Sequence, residues 1–95
     1  MSDISPEKVR QFLLTRYFET IKGAGFDPVD VPDSFDFFLS GVIDSFGILE
    51  MISSIEDEFC VRLDLAALDA EQITILGPLS RYVAETAKSN SAAGP

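Results

Sequence analysis

The sequence predicts a small all-α bundle of three main helices and one short helix, with a long loop after the first helix. Apolar residues recur at spacings of three and four in three separate segments. No segment alternates apolar and polar residues as a half-buried strand does. A chain of 95 residues, 46% of them hydrophobic and ten of them Phe or Tyr, supplies one core of modest size.

The first helix is expected over about residues 5–22. Ser5, Pro6 and Glu7 form a start signal: a hydroxyl to accept from free N–H groups, a Pro at the first helical position and a carboxylate in the first turn. Val9, Phe12, Leu13, Tyr17, Phe18 and Ile21 then form its apolar stripe, and Gly23 to Gly25 end it. Residues 23–43 hold two Pro, three Gly and four Asp and read as a loop. Loops longer than about 12 to 15 residues are uncommon unless they are anchored or functional. Phe35, Phe37, Phe38 and Leu39 are the expected anchors, in one short helical turn.

The second helix is expected over about residues 45–59, where Ile48, Ile52, Ile55 and Phe59 form a stripe facing the core. Glu50, Ser54 and Asp57 project from the opposite side, with Phe46 among them as an apolar side chain near solvent. After Cys60, which reads as a small residue at a helix end, Leu63, Leu65, Leu68 and Ile73 predict a short helix within about residues 64–72. The last helix, about residues 76–88, starts between Thr74 and Pro78 and buries Leu79, Tyr82, Val83 and Ala87. The Tyr82 hydroxyl is expected to reach water. Residues 1–88 thus form one domain, and residues 89–95 read as a flexible tail.

Composition narrows the chemistry. Sixteen acids against seven bases give a net charge of −9, the wrong sign for gripping a phosphate backbone, so no nucleic-acid partner is expected. With one Cys and no His, the chain lacks an intramolecular disulfide, a multi-thiolate zinc site and the usual general base. Charges at Asp3, Glu7, Lys8 and Arg10 argue against a secretion signal, and no uncharged stretch approaches the roughly 18 to 20 apolar residues of a membrane span. A cytoplasmic protein is expected. Asp27, Asp30, Asp33 and Asp36 recur every third residue, but they lack the alternating ligands, central Gly and closing Glu of a calcium loop. Solvated loop acids are the expectation there, with a small calcium-binding protein as an alternative. No metal ligands and no catalytic residues are assigned: Ser45 is not a hydrolase elbow, because Ile43 stands where that motif needs Gly.

The chemistry concentrates where the long loop meets the second helix, in Gly41-Val42-Ile43-Asp44-Ser45-Phe46-Gly47-Ile48-Leu49-Glu50. This segment resembles the attachment motif of acyl and peptidyl carrier proteins. The resemblance extends over nearly the whole chain. Phe37-Phe38-Leu39 before Gly41 is similar to that family's loop ahead of the motif. Ile55-Glu56-Asp57-Glu58-Phe59 is similar to the acidic end of its second helix, and Ile73 to Leu76 with Leu79, Tyr82 and Val83 to its last helix.

The resemblance implies an acyl-carrier-like bundle in which Ser45, preceded by Asp44, receives a 4′-phosphopantetheine arm from coenzyme A. It implies a non-catalytic, free-standing and monomeric carrier of an acyl or aminoacyl thioester. Its partners would be a phosphopantetheinyl transferase, an acyl- or aminoacyl-loading ligase and an acceptor synthase or transferase. Phe46, Leu49, Glu50, Ser53, Glu56 and Asp57 would face those partners.

Three positions depart from the family's pattern. Phe46 replaces the commoner Leu but keeps a large apolar contact. Gly47 costs a helix interior about 1 kcal/mol relative to Ala, less near an end. Ser53 stands where fatty-acid carriers commonly have an apolar residue, which points toward a specialised carrier outside primary lipid synthesis.

Two readings of Ser45 stay open on the residues alone. A helix N-terminus offers unpaired N–H groups and a positive dipole end, both favourable for a phosphodiester. Asp44 or Ser45 could equally serve only as the helix cap. The charge pattern is similarly two-sided. Residues 44–71 carry a net charge of −7 and residues 1–22 a net of +1, which marks one acidic face for steering a basic partner. The competing readings are a solvated helix face, or an acidic interaction module without a prosthetic group.

Overall fold

The computed structural model describes residues 4–64 and 72–93, and among these it shows four helices and no strand. Helix α1 spans Pro6–Arg16, α2 Phe18–Gly23, α3 Ser45–Phe59 and α4 Leu76–Ala93. The all-α expectation holds. The expected short helix falls mainly on residues 65–71, outside the described residues.

Ser5 caps α1 as its position suggests: its side chain accepts from the Lys8 N–H at 3.2 Å, with Pro6 opening the helix behind it. The expected single first helix is instead two. Tyr17 leaves helical geometry at φ −104° and ψ 17°, yet the hydrogen bonds from Tyr17 N to Leu13 O and from Ile21 N to Tyr17 O carry across the break. Neither Pro nor Gly stands there, so periodicity ran through the break unmarked. Leu13, Leu14 and Ile21 are buried, but Phe18 is exposed, contrary to its place in the expected stripe.

The long loop is anchored more by its alternate residues than by its apolar run. Phe35 and Phe37 are buried, with ring centroids 5.2 Å apart and edge to face; Phe37 also packs against Tyr17 at 5.6 Å. Phe38 and Leu39, expected as anchors, are exposed. The reason is local. Phe38 N and Leu39 N both donate to the Asp36 carboxylate, and Ser40 N donates to Asp36 O, so the chain curls into a tight turn with those side chains outward. Pro28, Val31, Val42 and Ile43 complete the loop's buried set.

In α3, Ile52 and Ile55 are buried as expected, Ile48 and Phe59 are half-buried, and Met51 joins the core centre. Phe59 meets Phe12 of α1 edge to face at 5.4 Å. The helix ends at Cys60, whose left-handed backbone (φ 54°, ψ 46°) turns its N–H back to Glu56 O.

Helix α4 packs along α1 and starts inside the window that Thr74 and Pro78 marked. Its opening is capped by loop carbonyls: Phe35 O accepts from Leu76 N at 2.9 Å and Asp33 O from Gly77 N at 2.8 Å. It runs to Ala93 rather than ending at residue 88, because no Gly or Pro stands between Pro78 and Gly94. The Tyr82 hydroxyl, in an exposed contact, donates to Asp64 O and accepts from Asp64 N, both at 2.9 Å, tying the segment after α3 to α4.

Candidate functional site

Asp44 and Ser45 lie where the anchored loop enters α3. Three contacts set the approach. Ile43 N donates to Phe37 O at 3.0 Å, the Ile43 side chain is buried, and Gly41 takes a positive φ of 84° that reverses the chain after the turn at Phe38. Phe37 N in turn donates to Thr74 O at 2.9 Å, and Asp36 pairs with Ile75 in an isolated antiparallel bridge. The start of α4 therefore holds the loop that presents the start of α3.

The cap is made by Asp44. Its Oδ1 accepts from Gly47 N at 2.7 Å, and its carbonyl accepts from Ile48 N at 3.1 Å. Ser45 is the first residue of the helix and is exposed. Between the two roles the sequence left open, the structure assigns capping to Asp44, which leaves the Ser45 hydroxyl outside the cap. An exposed hydroxyl beside the N-terminal end of a fifteen-residue helix fits the attachment of a phosphate-bearing arm.

Around the helix axis, at about 100° per residue, Phe46, Leu49, Glu50, Ser53 and Asp57 share an arc of about 100°. All five are exposed. Phe46 and Leu49 are the apolar members, at 80% and 58% relative exposure. Glu56 stands apart from this group. It is half-buried, and its Oε2 accepts from Leu63 N at 2.9 Å while its backbone carbonyl accepts from Cys60 N and Val61 N. Its carboxylate is thus occupied in holding the chain that leaves α3.

Gly47 has a role that composition could not supply. A Cβ on this residue would lie 2.8 Å from Ile43 Cβ and 3.3 Å from Asp44 Oδ1. The helical cost of a glycine is the condition for this close approach. The only sequence signal was its placement in the first turn, inside the motif.

Three of the four spaced loop acids have other work, and Asp30 is exposed. Asp27 accepts from Val29 N, Asp33 pairs with Arg10 at 3.2 Å, and Asp36 Oδ1 accepts from Phe38 N, Leu39 N and Thr74 Oγ1. Arg10 also donates to Val31 O, fastening the loop to α1. Among the described residues no group of three or more His, Cys, Asp or Glu side chains converges as a metal site would require, and no helix is long and apolar enough to cross a membrane. No protein-family model, curated protein or solved structure matches this chain.

Proposed function

We propose that this chain is a carrier protein with an acyl-carrier-like bundle, holding an acyl or aminoacyl group as a thioester on a 4′-phosphopantetheine arm at Ser45 and delivering it to partner enzymes. The observation that carries the reading is the placement of Ser45: exposed, first in α3, and released from capping by Asp44. The motif resemblance over residues 41–50 supports it, as does the adjoining exposed arc of Phe46, Leu49, Glu50, Ser53 and Asp57.

The chain's own part in the modification is to present a hydroxyl. Ser45 Oγ forms a bond to the phosphorus of coenzyme A that bears the pantetheine. The pyrophosphate P–O bond breaks, the nucleotide bisphosphate leaves, and the hydroxyl proton passes to a base of the transferase. The absence of His from this chain is consistent with a base supplied in trans. The arm, once attached, supplies a thiol on a flexible tether, which raises the effective concentration of cargo at each partner. The acids flanking Phe46 and Leu49 favour fast, reversible encounters with basic partners such as the transferase, a loading ligase and an acceptor enzyme.

Intact-mass measurement after incubation with coenzyme A and a phosphopantetheinyl transferase tests the proposal. The wild type should gain one phosphopantetheine and the Ser45→Ala variant none. An unmodified wild type that still binds a basic protein through α3 would make the chain an interaction module instead.

A further inference from the structure

We infer that Gly47 is a positioning residue for Ser45: the space left by its missing side chain lets Ile43 close over the first turn of α3 and fixes where the Ser45 hydroxyl is presented. The inference rests on reading Ser45 as the attachment site.

The Ile43–Asp44 segment is held from three sides. Its N–H is taken by Phe37 O, the Ile43 side chain is seated in the core, and Asp44 Oδ1 is bonded to Gly47 N at 2.7 Å. The closest atom to a Cβ at position 47 would be Ile43 Cβ, at 2.8 Å. That atom is one bond from the backbone and cannot swing aside as the end of a long side chain can. Relief requires the Ile43–Asp44 backbone or the first turn of α3 to shift, and Ser45 lies between the two. Of the exposed arc used for docking only Phe46 lies in that first turn, whereas Leu49, Glu50, Ser53 and Asp57 follow it. Displacing Ser45 therefore disturbs the alignment of oxygen and phosphorus more than the binding of the partner. Misplacement of a reacting group by about 1 Å can lower a rate by about a hundredfold.

The test is steady-state kinetics of the transferase with apo protein as the varied substrate, comparing wild type, Gly47→Ala and Ile43→Ala, each checked by circular dichroism. For Gly47→Ala, kcat should fall about tenfold or more while KM stays within about twofold, the pattern of a lost transition-state alignment. Its melting temperature should fail to rise, although Ala in place of Gly ordinarily stabilises a helix. Ile43→Ala adds nothing to the helix but loosens the seat, and kcat should fall with KM again unchanged.

A folded Gly47→Ala modified with wild-type kcat overturns the inference, as does a rise in KM alone, which would place residue 47 in the docking surface. Should Gly47→Ala not fold, Ile43→Ala decides, and a wild-type kcat there overturns it. Failure of the wild type to be modified at all is a different outcome that removes the attachment reading itself.

Discussion

Thr74 Oγ1 donates a 2.8 Å hydrogen bond to the Asp36 carboxylate, 38 residues earlier in the chain. The same Oδ1 accepts from Phe38 N and Leu39 N, so one oxygen organises the turn before the motif and ties it to the start of α4. Removing the carboxylate strands the hydroxyl of buried Thr74 and leaves two exposed N–H groups to water. Asp36→Ala should cost about 2 to 3 kcal/mol, and Thr74→Val about 1 to 2 kcal/mol, read from urea unfolding at equilibrium. Because they share one bond, the double variant should lose less than the sum. Strict additivity would show that the contact is not formed in solution.

The division of labour between Asp44 and Ser45 yields a paired measurement. Asp44→Ala removes the cap of α3 and should cost about 0.5 to 2 kcal/mol. Ser45→Ala touches an exposed side chain outside the cap and should change stability by no more than about 0.5 kcal/mol while abolishing modification. If Ser45→Ala proves the more damaging to the fold, the capping roles are reversed.

Cys60 adopts a left-handed backbone that favours Gly, and its side chain is exposed. Cys60→Gly removes the crowding between Cβ and the backbone at the price of a more flexible unfolded chain, with a net gain of about 0.5 to 1 kcal/mol expected. Cys60→Val should destabilise. A thermal melt of both variants under reducing conditions checks the ordering.

The acids of α3 should separate by function. Glu50→Lys with Asp57→Lys changes two exposed positions, so it should leave the fold intact, slow association with a basic partner and flatten the salt dependence of that rate. Phe46→Ala should act mainly on dissociation and depend little on salt. Glu56→Ala should behave unlike either acid: it releases Leu63 N and costs about 1 kcal/mol of stability with little change in association rate. Stopped-flow binding alongside denaturant melts distinguishes the three.

What could be read from the sequence followed the strength of local signals. The start of α1 was legible because Ser5, Pro6 and Glu7 each favour the same geometry, and α3 because its four-residue stripe repeats over about three turns. The break at Tyr17 was not, since it leaves the hydrogen-bond ladder bridged and inserts no breaking residue. Phe38 and Leu39 look like core residues by hydropathy, but the turn built on Asp36 points them outward, and a turn closed by a residue 38 positions away has no local signature. At the candidate site, the exposed positions of Ser45, Phe46, Glu50 and Asp57 follow from helical phase. The bond of Glu56 to Leu63 and the narrow gap at Gly47 depend on where other segments pass, which periodicity does not encode.

The bonding of the loop to residues 74–77 also sets an order of events during synthesis. Phe37 N needs the carbonyl of Thr74, and Phe35 O and Asp33 O need the N–H groups of Leu76 and Gly77. A growing chain that has exposed only the motif cannot make any of these bonds, and closing so wide a loop has an entropic cost that only later packing offsets. The geometry around Ser45 thus requires the chain through Gly77. A ribosome-bound fragment ending before Thr74 carries the motif's letters without its shape.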